Sequence, residues 1–392
     1  RERTGESEVV ATPHLDSLIA GGMRFDRAHS STALCSPTRY CVLSGNYAHR
    51  SYDEWGVWAS FNTSPFTDNF TVGNVMRGAG YRTGFIGKWH LGGDFLKKGT
   101  EEIYTQDVYG RDGKYDASRI VGGGPSHLGF DYALCLPAGI QNAPYAVYEN
   151  GGWMPLGSDS ELKWIKWSDV PKGTSLGKSA GIGDSRWDAS QIGPLLASKA
   201  TGFIHDAAKR KDPFFLCYFT QAVHHPHNPP ATFNGVPVKG TMGNGEAPHL
   251  DMVKELDLQV GEIIKALKVT GQYENTLLIF TSDNGGLGKH IPGTLESGHD
   301  STNGLRGSKQ QIWEGGHRVP FLAVWPGKIA PGSSAKGPAL THDLMATLYA
   351  VTGQAMPADK GLDSWNRLPT LLGEHDARLR ESYTVNGQGK KL

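Results

Sequence analysis

The chain has 392 residues, 39 Lys+Arg against 39 Asp+Glu, and 38% apolar residues. That length accommodates one large α/β domain or two to three smaller ones, and the zero net charge argues against bulk electrostatic binding to nucleic acid or an anionic membrane. Four cysteines (Cys35, Cys41, Cys135 and Cys217), none in a Cys-x-x-Cys pair, exclude a disulfide framework and a zinc knuckle, and no apolar stretch approaches the ~20 residues of a membrane span.

In chain order, Thr12 to Gly21 reads as a short helix with Thr12 as N-cap, Pro13 at its first position and Gly21 at its end. Ser36-Pro37 opens a second helix that Gly45 stops, and Thr71 to Gly80 a third, with Val72, Val75, Met76 and Ala79 on one face. Tyr81 to Gly87 reads as a strand leading into Lys88-Trp89-His90. Residues 92–188 show little periodicity and read as a loop-rich insertion region near a site. Ala189 to Lys209 is helical in pattern, and Phe214 to Phe219 is the near-continuous apolar run of a central parallel strand. Pro248 to Val269 is the longest helix. Asn275 to Thr281 and Val319 to Trp325 are further buried strands, and Thr341 to Gly353 is a capped helix. Strands alternating with helices predict an α/β fold, a mostly parallel central sheet sandwiched by helices, in one domain over 1–392. The chain opens at Arg1 without Met or an apolar leader, so it reads as mature or trimmed.

The chemically loaded residues follow the C-terminal ends of the predicted strands: Lys88 and His90; then His224, His225 and His227; then Asp283 and Asn284. In open α/β sheets ligands bind at that rim. Singly, each has a plainer reading. Lys88 is then a solvated charge, the histidines belong to a loop, and Asp283-Asn284-Gly285-Gly286 is equally an Asn-Gly turn. A second focus is Cys35 at a helix N-terminus, where the dipole and free N–H groups favour an anion, with Arg39 one turn on. The default reading of a free cysteine is a buried structural residue, and Cys41, Cys135 and Cys217 take it.

Cys35-Ser36-Pro37-Thr38-Arg39, followed by Leu43-Ser44-Gly45, resembles the signature of the type I sulfatases of the alkaline phosphatase-like superfamily, whose cysteine is oxidised to Cα-formylglycine. Thr38 and Ser44 are mild departures that leave Cys-x-Pro-x-Arg intact. Further segments match in order: Gly87-Lys88-Trp89-His90, Val223-His224-His225-Pro226, Thr281-Ser282-Asp283-Asn284-Gly285-Gly286, and Leu305 to Lys309 with Trp313 to Pro320. Two departures accompany them. The family begins with a strand carrying paired aspartates, and residues 1–11 hold neither, so the expectation is a chain clipped at its N-terminus. Only 374–392 remain where the family adds a small antiparallel subdomain.

The resemblance implies hydrolysis of a sulfate ester. Cys35, oxidised by a formylglycine-generating maturation enzyme, would give a hydrated aldehyde. One hydroxyl attacks sulfur and releases the alcohol; the other loses its proton and expels sulfate, regenerating the aldehyde. A serine or cysteine lacks that second hydroxyl and would stay sulfated. Asp283 and Asn284 would supply hard oxygens to Ca²⁺, with Mg²⁺ as the other candidate, and the ~6–8 ligands calcium takes are a reason to expect the missing aspartates. Arg39 and Lys88 would hold the diol, and His90 would take the proton that starts sulfate release. His224 and Lys309 would bind sulfate oxygens, one of them protonating the leaving alcohol. His225 is the alternative to His224, and Arg306 and His317 are candidate substrate contacts. The expected substrate is a sulfated glycan, with a sulfated small molecule as the wider class, no nucleic acid or membrane partner, and a periplasmic or extracellular location. Two rivals are a phosphonate or phosphate monoester hydrolase of the same superfamily and a non-catalytic sulfated-glycan binder.

Overall fold

The computed structural model describes residues 9–53, 56–243, 245–288, 291–374, 380–387 and 390–391. They group into two units: Arg1–Val57, Met242–Leu250 and Val260–Leu392 form the first, and Trp58–Thr241 with Asp251–Gln259 the second. The expected aspartate strand falls before Thr12, partly on residues 1–8, which lie outside the described residues, as do 375–379, 388–389 and 392 of the expected C-terminal remnant.

The first unit carries a four-stranded mixed sheet in the order Leu278–Thr281, Phe321–Val324, Met23–Phe25, Ser333–Ala335. The first two pair antiparallel with Ile279 opposite Ala323, and Met23–Phe25 runs antiparallel to Phe321–Val324 but parallel to Ser333–Ala335. Met23, Phe25, Val319, Phe321, Ala323 and Leu371 bury the sheet's apolar side chains, with the Phe25 and Phe321 rings edge to face at 4.9 Å. Burial of such side chains stabilises by roughly 1.5–3 kcal/mol each. Helix Cys35–Ser44 is buried at every position except Val42, its polar Ser36, Thr38, Arg39 and Ser44 included. It ends where Gly45 turns left-handed at φ 71° and returns its N–H to the Cys41 carbonyl at 2.8 Å. A side chain at Gly45 would run into Met345 of helix Leu344–Thr352.

The second unit is built on a five-stranded sheet in the order Gly152–Met154, Val147–Glu149, Tyr132–Ile140, Arg82–Lys88, Phe214–Phe219. Arg82–Lys88 pairs parallel with both neighbours, Phe85 lying between Ala133 and Cys217. Gly84 lets helix Ile192–Arg210 close on the sheet, because a side chain there would meet the Phe203 ring. Two expectations are corrected here. The stretch 92–188 is not only loops: it supplies Tyr132–Ile140, the middle strand, together with an antiparallel pair, Leu162–Ile165 and Gly181–Asp184. Phe214–Phe219 is parallel but lies at the edge of its sheet among the described residues, with only Cys217 fully buried.

Helix Pro248–Val269 contributes its 251–259 stretch to this second unit. There Gln259 accepts from Tyr218 Oη and Thr220 Oγ1, both at 2.7 Å, and its amide donates to Glu255 Oε1 at 2.8 Å. Glu255 is 1% exposed, and burial pushes its carboxyl up to about 8. No helix among the described residues is long and apolar enough to cross a membrane.

Candidate active site

In the first unit the chemistry begins with helix Cys35–Ser44. Leu34 at its N-cap is extended and makes no side-chain cap, so the first turn is braced from outside. Thr38, the residue that departs from the signature, does this: its buried hydroxyl lies 2.9 Å from Thr32 Oγ1 and donates to the Thr32 carbonyl at 3.1 Å. Cys35 is 6% exposed at the first helical position. One turn on, Arg39 donates from Nε at 2.9 Å and from Nη2 at 2.7 Å, both to Oδ2 of Asp283. Asp283 and Asn284 follow strand Leu278–Thr281 directly, as the strand-end rule predicts. Sequence alone left this segment open as a plain turn; the ion pair with Arg39, 8% side-chain exposed, makes it more than that.

Asn284 is fixed by an Nδ2–H bond to the Gly285 carbonyl at 2.9 Å, and its Oδ1 is buried without a hydrogen-bond partner among the described residues. A buried, unsatisfied carbonyl oxygen costs roughly 1–3 kcal/mol. Beside a carboxylate it is a hard oxygen suited to a divalent cation, so the residues present fit such an ion.

The loop from Arg306 to His317 is tied to this segment through its main chain. Lys309 N–H bonds the Gly286 carbonyl, Gly285 N–H the Gly316 carbonyl and Gln310 N–H the Ala33 carbonyl, each at 2.8 Å. The glycines are required. A methyl group at Gly285 would strike the Gly315 carbonyl, one at Gly315 the Gly307 carbonyl, and one at Gly316 the Gln311 carbonyl. The interleaving gathers Cys35, Arg39, Asp283, Asn284 and Lys309 into one main-chain network. Lys309 is half-buried, and Arg306 is exposed with its guanidinium stacked 3.6 Å from the Trp313 ring centroid. His317 is 5% exposed and faces His29 rather than the surface, which removes it from the candidate substrate contacts.

In the second unit, Lys88 ends its strand with 2% exposure, its stem lying over Gly139, and its Nζ donates to Gln141 Oε1 at 3.2 Å. His90, at φ 59° and 4% exposed, bonds the Pro137 carbonyl through its N–H and sets Nε2 3.4 Å from Gln141 Nε2. Gln141 therefore joins the two predicted residues, and it was missed. It stands just past Tyr132–Ile140, so the strand-end rule would have found it had that strand been read.

The His224 and His225 rings are tilted by 35° with their centroids 4.5 Å apart, and His224 Nδ1 lies 2.6 Å from the His225 carbonyl. A carbonyl only accepts, so Nδ1 carries a proton. His224 is half-buried and His225 exposed. The three cysteines read as structural are buried, and desolvation raises their thiols, Cys135 to about 12 and Cys41 and Cys217 further.

Comparison with known proteins bears on the whole chain. It is 31% identical to an N-acetylgalactosamine-6-O-sulfatase of Bacteroides thetaiotaomicron, over 93% of this chain and 72% of that one. It is 33% identical to human arylsulfatase A over 92% of this chain, of whose length it spans less than two thirds, 63%. A solved 6S-sulfatase from glycosaminoglycan metabolism in Bacteroides thetaiotaomicron superposes with a TM-score of 0.79 at 27% identity, covering 97% of this chain and 80% of the other. A phosphonate monoester hydrolase from Silicibacter pomeroyi shares the fold at a TM-score of 0.58 and 20% identity, over 96% of this chain and 75% of that one. With the Sulfatase family model matching residues 4–354, the chain belongs to the sulfatase family, within the alkaline phosphatase-like superfamily.

Proposed function

We propose that this sulfuric ester hydrolase acts on a carbohydrate sulfate, with Cys35 as the residue matured to the nucleophile. The observation that carries the reading is Cys35 at a buried helix start with Arg39 in a two-point ion pair to Asp283. Matured to formylglycine by a formylglycine-generating enzyme, Cys35 would present two hydroxyls. One forms the bond to sulfur as the ester S–O bond breaks; loss of the other's proton then expels sulfate. Asp283 and Asn284 would hold a divalent cation, Ca²⁺ or Mg²⁺, which supplies positive charge that favours the ionised nucleophile and the sulfate oxygens. Arg39 and Lys88 position the nucleophile and offset its charge. His90, steadied by Gln141, receives the proton whose loss starts sulfate release. His224 donates a proton from Nε2 to the departing alcohol, and Lys309 binds sulfate oxygens. His225 and Arg306 stand as contacts to the remainder of the substrate.

The preference for a carbohydrate is supported by relatives named N-acetylgalactosamine-6-sulfatase in Bacteroides thetaiotaomicron and in the rat. An extracytoplasmic location accompanies that substrate class. The test uses protein matured in a host with the formylglycine-generating system. Intact-peptide mass should show formylglycine at Cys35, and N-acetylgalactosamine 6-sulfate should be turned over far faster than its 6-phosphate analogue. A phosphate analogue faster by orders of magnitude would overturn the sulfatase assignment. Preference for 4-nitrophenyl or steryl sulfate over the sugar sulfate would overturn the carbohydrate assignment alone.

A further inference from the structure

A second cluster of metal-ligating side chains lies wholly within the first unit, built from other residues. His29 Nδ1 sits 2.9 Å from His317 Nδ1. Glu314 adds a carboxylate, and the three ligand atoms lie within 4.8 Å of one another. His29 is 0% and His317 5% exposed. The His317 ring also bonds the Ile312 backbone, whose carbonyl can only accept, so the ring proton is engaged there and its Nδ1 lone pair faces His29. His29 Nε2 lies 3.0 Å from Tyr383 Oη, a hydroxyl able to donate or accept. When it accepts, the His29 proton sits on Nε2 and both Nδ1 lone pairs aim at one point.

Glu314 is already paired with Arg318, but Nε at 2.9 Å and Nη2 at 2.6 Å both contact Oε2. Oε1 is therefore not used by that pair. The Glu314 side chain is 42% exposed and gives the cluster an opening to solvent.

We propose that His29, His317 and Glu314 form a binding site for a borderline transition-metal dication, Zn²⁺ above all. Two imidazole nitrogens and one carboxylate oxygen match the donor set of a three-ligand zinc site with a fourth position for water, and not the ~6–8 oxygens that calcium requires. Two Zn–N bonds of about 2.0–2.1 Å at a tetrahedral angle place the nitrogens about 3.4 Å apart, so the rings separate by about 0.5 Å on loading. No net proton is released: the one between the two Nδ1 atoms moves to His29 Nε2, and Tyr383 accepts from it. The site joins two segments already bonded through their main chains, since Ser30 N–H meets the His317 carbonyl at 2.8 Å and His29 bridges Arg318. One segment runs on to Cys35 and the other comes from Lys309, so the ion acts as a clamp on the frame of the active site.

The test uses untagged full-length protein saturated with Ca²⁺, which occupies any hard-oxygen site. Titration with Co²⁺ should develop the visible absorption of a low-symmetry nitrogen–oxygen site, and calorimetry with Zn²⁺ should show one equivalent. His317→Asn should abolish both, while Glu314→Gln and Tyr383→Phe should each weaken Zn²⁺ by about tenfold or more. An unchanged zinc equivalent in His317→Asn, or no zinc bound in the presence of excess Ca²⁺, overturns the proposal. Where His317→Asn fails to fold by circular dichroism, Glu314→Gln decides, because its side chain reaches solvent and its loss leaves the buried pair intact; unchanged affinity there also overturns the proposal. These readouts are independent of turnover, so they stand apart from the sulfatase assignment.

Discussion

Replacing Glu255 with Gln should make the protein more stable at neutral pH, and by an amount that depends on pH. Glu255 is buried beside Gly193, where a methyl group would collide with its Oε1, and it receives one amide bond from Gln259. Its carboxyl is raised from 4.5 to about 8 because burial disfavours the anion. A raised acid pKa means that the folded state holds a proton which the unfolded chain has released. Below pH ~4.5 both states are protonated and there is no penalty; from there to pH ~8 stability falls by about 1.4 kcal/mol per pH unit, and above that the slope vanishes. Between pH 5 and pH 7 the loss is about 2–3 kcal/mol. Glutamine cannot ionise, and its carbonyl can still accept from Gln259, so Glu255→Gln should remove this slope. Urea unfolding of both proteins at pH 5, 6, 7 and 8 would show the variant's advantage growing from below about 1 kcal/mol to about 3 kcal/mol at pH 7. Parallel stability curves over that range would refute the reasoning, since Glu255 would then ionise in place at no cost.

Cys35→Ser should keep substrate binding and lose multiple turnover, because the alcohol lacks the second hydroxyl; steady-state turnover by that variant would contradict the mechanism. Gly285→Ala forces a methyl against the Gly315 carbonyl and should cost about 1–3 kcal/mol by thermal shift, with kcat falling more than KM; wild-type kinetics would show the main-chain interlock to be dispensable. Gln141→Leu removes the partner shared by Lys88 and His90 and should lower kcat about 10–100-fold while moving the pH profile, with KM changed little. A stability loss with an unmoved pH profile would make Gln141 merely structural.

The placement of many candidate site residues was legible because they stand at punctuated places. Pro37 near a helix start and Gly45 past its end bracket the Cys35 helix to within a residue, and apolar runs ending in Lys88 and in Asp283-Asn284 mark strand ends. Tyr132–Ile140 was not legible, because Pro137 and Gly139 inside it read as breakers. The structure uses both: the Pro137 carbonyl accepts from His90, and Gly139, at φ 71°, makes room for the Lys88 stem. Phe214–Phe219 looked central from its apolar run, but sequence cannot say how many neighbours a strand acquires. His317 looked like a pocket residue because its neighbours are chemical, whereas its ring turns inward to His29. Periodicity carries no information about which way a loop side chain points.

The frame around Lys309 is held by peptide groups meeting peptide groups, with glycines as the only residues slim enough to permit it. Side chains on the outer rim, such as Arg306 and Trp313, are not what keeps the lysine in place. Substitutions on that rim therefore leave the main-chain frame around Lys309 in place. Any side chain at Gly285, Gly315 or Gly316 would push a peptide group out of that frame, whereas the aromatic residues beside them carry no such constraint.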